Sequence, residues 1–119
     1  MQENKKTEAF NEIYRTFKEA NLRRECTQNL LLALPCTESE RKAINFALTL
    51  FGRAVDRMIQ INEAKEIPAQ TKLQEAAKLC NIMHNMEKCE ESRGYMQSIY
   101  YDLDLCRAKL LQVGVTVNV

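Results

Sequence analysis

Turn-forming residues are scarce in this sequence, with three Gly and two Pro among 119 residues. Hairpin-rich folds need turn chemistry at many more positions, so they are excluded first. There is a single histidine, His84, and neither a GxxxxGK nor a GxGxxG pattern to cradle phosphate. Nucleotide hydrolysis therefore lacks its parts. Nucleophilic catalysis would require His84 to meet Cys26, Cys36 or Cys106 in space, so no enzymatic activity is expected and no cofactor is implied. No stretch approaches the roughly 20 apolar residues of a membrane-spanning helix; the longest apolar run, residues 30–34, stops at Pro35. Neither sign of charge dominates. With 17 basic and 16 acidic residues the net charge is +1, so no global field draws the chain to nucleic acid or anionic lipid.

Residues 1–8 are polar and lack the apolar core of a secretory signal. The cysteines, Cys26, Cys36, Cys80, Cys89 and Cys106, are odd in number, and a core of this size needs no disulfide staples. Reduced thiols in a cytoplasmic or nuclear protein are the simplest expectation, several of them packed as small hydrophobes.

What is abundant is the set of good helix formers, Ala, Leu, Glu, Lys, Gln, Arg and Met, in periodic segments. The expectation is an all-α fold: a compact, mostly antiparallel bundle of four helices, five if the first is broken, forming one domain over residues 1–119. The first helix begins near Glu3 and carries Phe10, Ile13, Tyr14 and Phe17 on one face. At Asn21, Arg23 and Arg24 the phase slips, and Leu22, Cys26, Leu30 and Ala33 continue an apolar row on nearly the opposite side. Either the helix breaks there, or one long helix packs its two ends against different neighbours.

The most informative segment is residues 37–65. Thr37 and Glu40 have the spacing of a capping box. Ile44, Leu48, Phe51, Val55 and Met58 follow at 4-3-4-3 intervals, with Ala43, Ala47, Leu50, Ala54 and Ile61 flanking that seam. The apolar arc spans about 220° of the helix, against the roughly 100° an ordinary surface helix needs. Pro68 opens a third helix, residues 68–90, with Leu73, Ala76, Ala77, Cys80 and Met83 inward and Leu79, Ile82 and Met86 as a second row. A fourth, residues 92–112, has the seam Met96, Ile99, Leu103, Cys106, Leu110 and Val113. Arg107 interrupts it, to be carried by snorkelling or by pairing with Asp104 or a carboxylate on another helix. Residues 113–119 alternate Val with Gly, Thr and Asn, the pattern of a short strand or extended tail.

Three constellations carry chemistry. Cys80 and His84 stand at i and i+4 with Cys89 just over a turn beyond, a conceivable zinc set. Structural zinc sites pair cysteines two to four residues apart, however, and His84 continues the Leu73, Ala77, Cys80 row, so a core-edge histidine is the better reading and no metal is expected. Lys42, Arg53 and Arg57 line the polar side of the second helix beside Gln60, where Arg23 and Arg24 could join them. This would suit nucleic acid, but stacking aromatics are missing and Asp56 lies close by, which favours a solvated face. Finally, Phe46 falls among these cations, in line with Leu50, Arg53 and Arg57. Aromatic and arginine side chains anchor protein interfaces. The expected function is therefore a non-catalytic helical interaction module, binding another protein or itself through Phe46, Leu50, Arg53 and Arg57. A nucleic-acid-associated factor using the basic face is the alternative.

Overall fold

The computed structural model describes residues 2–116, with side chains over 4–116. Five helices follow one another: α1 (Gln2–Asn29), α2 (Glu38–Glu63), α3 (Ala69–Met86), α4 (Glu90–Arg93) and α5 (Gln97–Gln112). A 3-10 turn (Leu31–Ala33) joins α1 to α2, and no strand occurs among the described residues.

The count of five does not arise from a broken α1. That helix runs unbroken through Asn21 and Arg24. The extra element is the four-residue α4, because the segment expected to be helical from residue 92 turns at Gly94 and Tyr95 and restarts only after Met96. Ser92 is fully buried there, and its hydroxyl is spent on the Cys89 carbonyl at 3.4 Å.

α2 starts as its first residues dictate. The Thr37 hydroxyl accepts from the Glu40 N–H at 3.1 Å, and the Glu40 carboxylate accepts from the Thr37 N–H at 2.8 Å. These bonds hold the Glu40 carboxyl below its ordinary value of 4.5. Every member of the Ile44–Met58 seam is buried, as are Ala47, Ala54 and Ile61, while Ala43 and Leu50 are half-buried. The excess arc of α2 is thus taken up by several neighbours, α1, α3 and α4.

Polar contacts fix the antiparallel registers. Gln28 on α1 donates to Asn45 and Thr49 on α2 at 3.2 and 3.4 Å. Lys72 on α3 donates to the Asn62 carbonyl at the end of α2. On α5, Lys109 meets Glu12 at 2.9 Å and Asp102 pairs with Arg23, both on α1. Inside, Phe10, Ile13, Phe17, Leu73, Cys80, Met83, Leu103 and Cys106 close one contiguous core.

Of the two expectations for the tail, strand or extended peptide, no strand forms over the described residues 113–116. Val113 caps α5, Gly114 takes φ +80°, and the Val115 N–H returns to the Leu110 carbonyl at 2.9 Å while the Gly114 N–H reaches Leu111 at 3.1 Å. This is a Schellman closure, which needs a residue free to adopt positive φ, and it folds Val115 into the core beside Leu110. Thr116 follows without regular structure, and the rest of the valine alternation, residues 117–119, lies outside the described residues.

Burial sets the chemistry of the core thiols. It pushes Cys80 from an ordinary 9.0 up to about 12, where nearby Arg107 only partly opposes it, and drives Cys106 upward as well. It also raises Tyr100 to about 12, although the Ser92 hydroxyl beside it acts the other way. When the chain unfolds, Cys80 loses its proton near 9.0; folded, it keeps it to about 12. Between those values the native state holds more protons, so stability that is complete below pH 9 is lost as pH rises. The urea midpoint is therefore expected to fall between about pH 8 and about pH 10.5, and to fall less in Cys80→Ala. A midpoint that stays level would show that these groups ionise without unfolding.

Candidate functional site

Phe46, Leu50, Arg53 and Arg57 recur at intervals of four, three and four, so α2 carries them as one stripe. The flank of α2 bearing Asn45, Thr49 and Gly52 is occupied by α1, whose Arg24 guanidinium lies over Gly52. The stripe runs on another side, in line with Ser39, which bonds Glu91 of α4. There Leu50 is half-buried against the core, Arg53 and Arg57 are exposed, and Phe46 is 59% exposed. The Arg57 guanidinium donates to Gln60 at 3.2 Å. Neither arginine forms an ion pair with a described carboxylate. The four residues therefore make an apolar step with two cations that lack a carboxylate partner, held on one helix.

The wider basic patch does not assemble. Arg23 is taken by Asp102 on α5. Arg24 is locked inward by Asn21 at 2.9 Å and Gln28 at 2.6 Å, with Glu25 at 3.6 Å. Only Lys42 remains beside Arg53 and Arg57 on the exposed surface of α2.

The zinc-like set is also redistributed. Cys80 is fully buried, and the acceptor groups that converge around His84 are the carboxylates of Glu87 and Asp104, all within 4.8 Å of one another. That cluster already has its cation: the Arg107 guanidinium donates to His84 Nδ1 at 2.8 Å and lies 3.7 Å from Asp104. A metal would have to displace an arginine whose side chain is only 19% exposed. His84 is thus engaged with Arg107 and Glu87.

Surface depressions lie away from the stripe. One of about 320 Å³ between α1 and α5 is lined by Glu12, Thr16, Leu105 and Lys109. Another, about 570 Å³, sits where Lys5 and Lys6 face Gln112 and Gly114. The first also holds Cys106, but burial pushes that thiol's pKa up, away from the thiolate a nucleophile needs, and the second holds no thiol or hydroxyl. Leu32, Leu105 and Leu111 are also large, apolar and exposed, and Tyr101 is exposed beside a buried Tyr100, as the phase of the α5 seam predicts. No protein-family model matches this chain, and no curated protein or solved structure matches it significantly.

Proposed function

We propose that this chain is a non-catalytic helical interaction module, of the adaptor, regulatory-subunit or small-inhibitor kind, which receives a partner helix on the α2 stripe. The observation that carries the reading is Phe46, more than half exposed on a well-anchored helix beside two arginines without carboxylate partners. An exposed aromatic alone means little. An aromatic, a leucine and two arginines in one row form the composition that interface anchors favour. Nucleic acid is the weaker alternative, since Arg23 and Arg24 are committed elsewhere and only three cations remain to meet phosphates.

Affinity capture with the wild-type chain and with a Phe46→Ser/Arg53→Glu variant tests this reading. Both positions are exposed, so the variant is expected to melt like the wild type. Proteins retained by the wild type should be reduced about tenfold on the variant, equivalent to about 1.4 kcal/mol. Equal retention by both would remove the stripe from the interface. Salt-sensitive retention on DNA or RNA, lost in Arg53→Glu/Arg57→Glu, would decide for the alternative.

A further inference from the structure

Charge is distributed unevenly along the α2 stripe. Lys42 stands one turn before Phe46, and Arg53 and Arg57 stand one and two turns after Leu50. All three cations are exposed, and none forms an ion pair with a described carboxylate. The apolar step thus has positive charge at both ends, over about 22 Å of helix. The neighbouring carboxylates lie off this run. Asp56 falls in line with Thr49, on the flank that Gln28 of α1 occupies, and no ion pair joins it to Arg53. Glu91 of α4 accepts from the Ser39 hydroxyl at 2.6 Å and bounds the run at its start.

We propose, on the reading that the stripe receives a helix, that this helix is acidic and amphipathic, apolar at its centre with carboxylates a turn or two to either side. Charge complementarity is the first reason. A neutral or basic helix would dehydrate three cations beside the contact with nothing to offset them. Carboxylates flanking an apolar centre meet Lys42 at one end and Arg53 and Arg57 at the other. The arginines add a forked donor geometry that a carboxylate matches with two bonds. Backbone hydrogen bonding is the second reason. An extended peptide brings unpaired N–H and C=O groups that call for a sheet edge, and no strand occurs among the described residues. A helix satisfies its own backbone and presents only side chains. A polyanion fits less well, because Phe46 and Leu50 interrupt the cations where a phosphate backbone needs them close together. The cations lie at the rim of the contact, so they govern selectivity and salt dependence, while the apolar step anchors.

Fluorescence anisotropy of the full chain with two labelled synthetic helical peptides tests this. Both peptides carry leucines at i and i+4; one has glutamates to either side of them, the other glutamines at the same positions. At about 50 mM salt the glutamate peptide is expected to bind about tenfold tighter, a preference that shrinks to about threefold or less at about 500 mM. Arg53→Glu/Arg57→Glu should abolish the preference, and a lysine-flanked peptide should then bind that variant better than it binds the wild type. Phe46→Ser should weaken both peptides. These positions are exposed, so the melting curves should stay in place. Equal binding of the glutamate and glutamine peptides, with both weakened by Phe46→Ser, overturns the acidic partner and leaves helix docking on the stripe standing. So does a failure of the glutamate peptide to bind while affinity capture still depends on Phe46. Peptide binding that is unchanged in Phe46→Ser removes both together. Oligothymidylate, or vesicles of phosphatidylserine, held more tightly than the glutamate peptide would overturn the proposal in favour of a phosphate ligand.

Discussion

Phe51→Ala is expected to remove about 3–5 kcal/mol of folding stability, whereas Phe46→Ala on the same helix should change it by no more than about 0.5 kcal/mol. The two side chains are chemically identical and differ only in where the helix points them. Phe51 has no exposed surface and stacks on Phe17 of α1, with ring centroids 5.7 Å apart and planes 30° from parallel. Truncating it removes the transfer free energy of a whole ring and leaves a hole bordered by Phe17 and the α2 seam, which helices pinned at several levels cannot close. Phe46 contributes its surface to solvent and leaves no cavity. Against a total of some 5–15 kcal/mol for a domain, the Phe51 loss is a large fraction, equivalent to a fall in melting temperature of roughly 10–20 °C. Thermal and urea melts of the two variants followed by helical ellipticity provide the check. Comparable losses at both positions would mean that Phe46 is packed. A small loss at Phe51 would mean that the core relaxes around the missing ring.

That contrast also measures what the sequence makes legible. The phase of α2 is visible from Thr37 onward because a capping box fixes where the helix begins, and every later position inherits its angle from there. Seam, flank and outer stripe are therefore recoverable without coordinates. The seams of α3 and α5 are legible for the same reason, since burial follows periodicity once the helix is granted. Two features resisted. The phase slip at Asn21 to Arg24 reads as a break or a change of neighbour; in fact the helix continues and its apolar row faces outward. Periodicity says which residues share a side, not whether anything covers that side. The valine alternation near the end likewise suggests a strand, but Gly114 supplies the positive φ that turns the chain back, and the local closure decides. Pairwise chemistry between distant segments was the least legible. Asp102 taking Arg23 away from the α2 patch depends on register across α1 and α5, which no local spacing encodes.

Arg107 is a case where the sequence posed the question and the packing answered it, and Arg107→Met carries the second large expected effect. The guanidinium interrupts an apolar seam, yet its side chain is only 19% exposed. It bonds His84 Nδ1 and lies against Asp104, with the Glu87 carboxylate gathered beside the same ring. Met keeps the length of the stem and its contacts while deleting the charge. The variant would leave His84 without its partner and the Glu87 and Asp104 carboxylates without the nearby cation, a loss of about 1–2 kcal/mol because Asp104 is exposed and screened. One feature pulls toward the lower figure: Arg107 Nε is buried without a hydrogen-bond partner, a desolvation cost that Met would relieve. Arg107→Lys should fall between, because an ammonium restores the charge but not the forked geometry that reaches both α3 and α5. Urea unfolding of the two variants, combined with His84→Gln in a double-mutant cycle, isolates the Arg107–His84 contact, with a coupling of about 1 kcal/mol expected. If Arg107→Met costs less than about 0.5 kcal/mol, the orphaned Nε outweighs the cluster, and α3 and α5 are held by their apolar core residues.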